Sequence, residues 1–115
     1  MSDRLTAVDR LDAWRRAAQG GDGSPWLRAA EAEALARFAL RFGEGVALME
    51  AVATRFREPV RDTGWEILGD DPEGENWEDH HDPQRALDLL RRKLARARHD
   101  GAVLEYKLWL RASHG

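Results

Sequence analysis

Residues 35–56 read LARFALRFGEGVALMEAVATRF, and the fold depends on whether the chain stays helical through Gly43-Glu44-Gly45. Leu35, Phe38, Phe42, Val46, Met49, Ala53 and Phe56 step by 3, 4, 4, 3, 4 and 3, the apolar seam of an α-helix or short coiled coil. Each glycine in a helix interior costs about 1 kcal/mol relative to alanine, yet a true turn has no reason to keep the stripe in phase across it. The phase therefore favours a helix kinked or interrupted at Gly43-Gly45, with a clean break as the alternative. An unbroken helix over 25–57 would be about 50 Å long at 1.5 Å per residue. A compact monomer of this size is only about 30 to 35 Å across. Either the glycines bend the seam or its excess length packs on a second copy of the chain.

Outward from the seam, Gly and Pro residues divide the rest. A helix is expected over about 2–19, ended by Gly20-Gly21-Asp22-Gly23. Ser24-Pro25 then supplies an N-cap and a pre-set first helical residue, and Glu58-Pro59 stops the seam. Thr63 to Gly69 reads as a short extended segment with Trp65 and Ile67 on one face. Residues 70–82 form an acidic loop without apolar periodicity. Asp82-Pro83 repeats the cap-plus-proline signal, and the helix over 83–99 carries Leu87, Leu90, Leu94 and Ala97 on one stripe with Arg85, Arg92 and Arg96 opposite. In the last segment, 102–111, Leu104, Tyr106, Leu108 and Leu110 alternate as in a half-buried strand; a helix is the second reading. A strand there needs a mate, either the Trp65 segment or its own copy in a second subunit. The resulting expectation is one mainly α domain over 1–115, with three or four helices and room for a minor two-stranded β element.

Composition narrows the function. With 115 residues, 43% hydrophobic and 34% charged, the chain matches one globular domain. It has no cysteine, so disulfides, thiolate metal sites and cysteine nucleophiles are excluded. The N-terminal residues are charged throughout, neither a secretory signal nor a membrane span, which makes the cytoplasm the expected compartment and a membrane an unexpected partner. Sixteen Arg against two Lys fits a GC-rich bacterial source. Charge is segregated: Glu58 to Asp82 holds ten acidic residues and one basic, whereas Pro83 to Arg111 holds eight basic and three acidic. Blocks of opposite sign within a Debye length of about 8 Å either pair internally or face outward as two patches. The acidic loop is expected to screen the Arg-rich helix, either within the fold or across a subunit interface.

Three chemistries are weighed against that background. In the acidic loop, Asp71, Glu73, Glu75, Asp79 and Asp82 fall at calcium-loop positions, but Asn76 replaces the turn glycine and Asp82 the bidentate Glu. Asp79, His80, His81 and Asp82 are the weak candidates for a metal site, although adjacent histidines diverge in most backbone conformations. On the basic helix, Arg91, Arg92 and Arg96 can track phosphates, while the pI of 5.8 and the neighbouring acidic block argue against nucleic acid. No phosphate loop, GxSxG or HExxH motif occurs, so no catalytic residue and no cofactor is expected. Five tryptophans are many for this length: Trp14, Trp26, Trp65 and Trp109 sit among apolar neighbours, whereas Trp77 in the acidic loop is either a plug over the core or an interface anchor. The expected function is a small non-enzymatic protein-interaction module or accessory subunit, itself a homo-oligomer, most simply a dimer, with Phe42, Met49, Trp77 and Trp109 as interface residues. A nucleic-acid-binding regulator using 83–98 is the first alternative. A metal-binding protein using 70–82 is the second.

Overall fold

The structure, a computed structural model, describes residues 6–55, 57–60, 62–69, 71 and 75–113. Among the described residues, four α-helices and three strands follow in the order α1 (Ala7–Ala18), α2 (Ala29–Leu40), β1 (Glu44–Ala53), β2 (Glu58–Pro59), α3 (Trp77–His80), α4 (Pro83–His99) and β3 (Leu104–Ala112). The fold is α+β rather than mainly α, at 47% helix and 23% strand, with a three-stranded antiparallel sheet packed against helices. The sheet order is β2-β1-β3, so the last segment is a strand and its mate is β1.

The expected kinked helix over 25–57 is instead a helix, a turn and a strand. Leu40 is the last helical residue, Phe42 and Gly43 close tight turns on the carbonyls of Ala39 and Leu40, and Gly43 takes a left-handed φ of +68°. That conformation carries no steric penalty for glycine and lets the chain reverse out of the helix. The apolar phase survives the turn because β1 contains a bulge between Val46 and Leu48. In a regular strand Val46 and Met49, three residues apart, would face opposite sides; the extra residue puts both on the face shared with Leu110 and Leu108. Helical spacing and bulged-strand spacing coincide over this stretch. Phe56, the last residue of the seam, lies outside the described residues.

Other boundaries shift for local reasons. Residues 2–5 of the first expected helix are not described; α1 is capped at Thr6, whose hydroxyl oxygen accepts from the Asp9 N–H while the Asp9 carboxylate accepts from the Thr6 N–H. Ser24 does not cap a helix. Its Oγ accepts from the Leu108 N–H at 2.9 Å, its own N–H donates to the Leu108 carbonyl, and Leu27 exchanges two backbone hydrogen bonds of 2.7 Å with Tyr106. The segment 24–27 thereby covers the outer edge of β3, which an unpaired strand would expose to other chains. On the far side of β1, Ile67 bridges to Met49. The helix over 83–99 forms as expected, with the Asp82 carboxylate accepting from the Gln84 and Arg85 N–H groups.

Leu104, Tyr106, Leu108 and Leu110 are buried with Leu35, Leu89, Leu90 and Leu94 in one core between the sheet and the helices. The opposite side of β3 carries Glu105, Lys107, Trp109 and Arg111, which are half-buried or exposed. Both sequence-level grounds for self-association fall away with this topology: the long seam is divided within one chain, and β3 is paired in cis. Among the described residues no helix is long and apolar enough to cross a membrane.

Candidate binding clefts at the ends of a helix pair

Helices α2 and α4 lie side by side in opposite senses. Leu40 and Arg41 at the end of α2 share a cleft with Gln84 at the start of α4, whereas Arg28 and Ala29 at the start of α2 share another with Ala97 and Arg98 near the end of α4.

The first cleft is a groove of about 550 Å³ between α1, α2 and α4. Val8, Leu11, Phe38, Leu40 and Leu87 supply its apolar surface, and Arg37, Arg41 and Arg91 line it without any carboxylate among the lining residues. Glu33 lies just outside and pairs with Arg91 at 3.4 Å. Val8 is 56% exposed, and beside the groove Phe42 is 48% exposed. Phe42 meets the lining residue Phe38 edge-on at 5.2 Å between ring centres, with the Arg15 guanidinium 3.9 Å from its ring. Arg15 is held there by Asp12 at 2.9 Å and by the buried Glu44 at 3.1 Å. Hydrogen bonding from Arg15 draws the Asp12 carboxyl below its ordinary range, against a smaller opposing effect of burial.

The second cleft, about 410 Å³, opens between the start of α2, the end of α4 and the start of β3. Its walls include Leu94, Ala97, Ala102 and Leu104, with Arg28 and Arg98 among the lining residues and Val103, 75% exposed, beside them. Tyr106 also lines it and is 2% exposed. No hydrogen bond engages the Tyr106 hydroxyl, yet among the described residues no fully enclosed side-chain polar atom lacks a partner. The hydroxyl is therefore the part of the side chain that reaches the cleft. Burial raises its pKa above the ordinary tyrosine value.

The residues anticipated from sequence fall in different places. Phe42 borders the first groove. Met49 does not belong to a surface: it is fully buried in the core of the single chain. Trp77 is likewise inside, 5% exposed, its ring against Gly45 and edge-on to His80 and His81, so it plugs the fold instead of projecting as an anchor. Trp109 is half-buried on the open side of the sheet, its indole N–H donating to the Gly21 carbonyl at 2.9 Å and its ring filling the space over Gly23.

The acidic segment is organised by its own backbone and by α4. His80 Nδ1 accepts from the Asp82 N–H, the Asp82 carboxylate caps α4, and His81 Nε2 lies 3.2 Å from Glu78. His81 has a left-handed φ of +51°. Asp79 is exposed. Glu73 lies outside the described residues, and among those described no three His, Asp or Glu side chains gather as a metal site. Arg91 pairs with Glu33, Arg92 with Glu75 at 3.2 Å, and Arg96 with Asp62 at 3.2 Å, while the nearly buried Lys93 pairs with Asp71 at 3.3 Å. The acidic block thus lies along the basic helix within the fold.

Sequence reading missed Val8, Tyr106, Arg28 and Arg98. Tyr106 was visible as an inward position of the alternating strand, but alternation carries no sign of whether a hydroxyl finds a partner. Arg28 and Arg98 are 70 residues apart in the chain and meet only through the antiparallel helix pair. No protein-family model matches the chain, and neither a curated protein nor a solved structure matches it significantly.

Proposed function

We propose that this chain is a non-enzymatic protein-binding module that receives an acidic amphipathic helix of a partner in the groove between α1, α2 and α4. The observation that carries the reading is the combination of exposed Val8 and Phe42 with Arg37 and Arg41, neither in an ion pair among the described residues, at one groove that has no lining carboxylate. A groove between helices offers parallel rows of side chains into which a third helix lays its apolar face, and arginines at the rim select acidic flanks. Phe42 is a large rigid ring that loses little conformational freedom on binding, since Phe38 and Arg15 already hold it.

The nucleic-acid alternative loses support from the same geometry. Arg91, Arg92 and Arg96 each face a carboxylate, so a phosphate has to displace an ion pair before it gains one. The metal alternative is weakened because His80, His81 and Asp82 are already engaged in local hydrogen bonds.

Capture from a native lysate tests the proposal when wild type is compared with a Val8→Ser/Phe42→Ser variant and with Trp109→Phe on the opposite side of the molecule. The expected result is a defined co-purifying protein that is lost with the groove variant, retained with Trp109→Phe and resistant to moderate salt. Identical capture by all three forms contradicts the assignment, as does recovery only of nucleic acid that is released by salt. A second copy of the chain as the captured species assigns the groove to self-association.

A further inference from the structure

We infer that the cleft between the start of α2, the end of α4 and the start of β3 is a binding site for a small organic anion, one with an apolar body, an anionic group at one end and a hydrogen-bond acceptor at the other. The cleft is separate from the proposed docking groove and lies at the opposite end of the helix pair, so the two assignments stand or fall independently.

Tyr106 is the residue that marks the site. A hydroxyl on a side chain that is 2% exposed has given up most of its hydration, and here it gains no protein partner in return. Such a group costs about 1 to 3 kcal/mol unless something completes it. A phenylalanine at this inward position of β3 would pack the same ring without that cost. The hydroxyl is both donor and acceptor, and with its proton held by burial it acts toward a ligand as a donor.

Above it the walls are apolar, formed by Leu94, Ala97 and Leu104 among others. The volume of about 410 Å³ falls within the range of small-ligand sites, which pair an apolar lining with a few placed polar groups. Arg28 and Arg98 are exposed residues of the same lining, and among the described residues neither makes an ion pair. They differ in this from Arg91, Arg92 and Arg96 of α4, each of which faces a carboxylate. Glu31, one turn further along α2 from Arg28, has one oxygen occupied by the Arg28 backbone N–H at 2.8 Å. A donor on a buried side chain, an apolar lining and two exposed guanidinium groups match a ligand with an acceptor oxygen on an apolar body and a carboxylate or similar anion at its other end.

Three probes of nearly one shape separate these elements: 4-acetylbenzoate has ring, acceptor and anion, 4-isopropylbenzoate lacks the acceptor, and 4-methylacetophenone lacks the anion. Each is titrated into isotope-labelled protein and followed by backbone amide NMR shifts. The expected result is saturable movement of the Ala29, Ala97, Ala102 and Leu104 amides with 4-acetylbenzoate. About fivefold weaker binding is expected for 4-isopropylbenzoate, the worth of one neutral hydrogen bond, and a loss of tenfold or more for the ketone, which forfeits a charge-assisted contact. Tyr106→Phe should erase the gap between the two benzoates, Arg98→Gln should weaken both benzoates while sparing the ketone, and Phe42→Ser should bind all three as wild type does. No saturable shift at these amides with either benzoate at millimolar concentration overturns the proposal. So do equal affinities of the two benzoates for wild type, a comparison that needs no variant to fold.

Discussion

The two ends of the α2–α4 pair differ in what they leave unsatisfied. At the α1 end, apolar surface stays in water: Val8 and Phe42 are half exposed beside a row of arginines. At the β3 end, a polar group is nearly withdrawn from water, where the Tyr106 hydroxyl only just reaches an apolar-walled cleft and has no hydrogen-bond partner among the described residues. Folding alone asks for neither arrangement. Exposed aromatic surface at a groove suits a polypeptide, which brings enough area to cover it, whereas a buried lone hydroxyl suits a small molecule that brings a single matching atom. The stretch of α4 between the two ends is different again, because its outward charges are already matched by Glu75, Asp71 and Asp62.

The largest effect should come from the helix pair that carries both ends. Leu90 is fully buried in the core between α4 and the sheet, and Leu90→Ala should lower stability by about 2 to 5 kcal/mol in denaturant unfolding. The same variant should weaken binding at both clefts together. Phe42→Ser comes next, losing an edge-on ring contact and a guanidinium contact worth about 1 to 2 kcal/mol together. Its stability loss should therefore be modest, while capture of the groove's partner should be abolished. A stability loss as large as that of Leu90→Ala would mean that Phe42 serves the core.

Tyr106→Phe should leave stability at neutral pH unchanged or slightly raised, since the hydroxyl has no bond to lose. At alkaline pH the two forms should part. The folded-state pKa of Tyr106 lies above the ordinary value of 10.0, so the folded chain holds this proton longer than the unfolded chain does. Stability is then full below that value and falls as pH rises through it toward the folded pKa, a fall that Tyr106→Phe removes. Arg28 and Arg98 are the charged residues that line the same cleft. Tyr106 is the sole tyrosine, so absorbance near 295 nm reports its ionisation directly, and a midpoint at or below the ordinary value would show the hydroxyl to be freely hydrated. Smallest of all, Glu75→Gln with Asp62→Asn should change stability by only about 0 to 1 kcal/mol per pair, because Arg92 and Arg96 are mostly exposed. A mobility-shift assay at low salt should show weak, salt-sensitive nucleic-acid binding in this variant and none in wild type.

Much of this was legible in the chain, and the rest was hidden for identifiable reasons. The α4 helix announced itself by Asp82-Pro83 and its leucine stripe, and β3 by alternation of Leu104, Tyr106, Leu108 and Leu110. The pairing of acidic segment and basic helix followed from charge segregation alone. The error at β1 has one source: a bulge at Val46–Leu48 turns a two-residue period into a three-plus-four spacing that a helix also produces. Ser24 misled in the same manner, since serine followed by proline suits an N-cap as well as a segment laid along a strand edge. Of the expected interface residues, Phe42 of the apolar seam lies half exposed beside the glycine turn, whereas Met49 and Trp77 are buried, a depth that sequence does not report. The second cleft was invisible for a different reason: it joins residues from α2, α4 and β3 that only the topology brings together.

Photo-crosslinking tests the central claim, that the groove beside Phe42 is where this chain meets its partner, most directly. With p-benzoylphenylalanine placed at residue 42 in one form and at residue 109 on the open sheet face in another, irradiation of the native lysate should attach one defined protein at residue 42 and none at 109. Its attachment site should lie in an acidic amphipathic helix of that protein. Crosslinking of that same protein at residue 109 alone, or no specific crosslink at residue 42, would contradict the account.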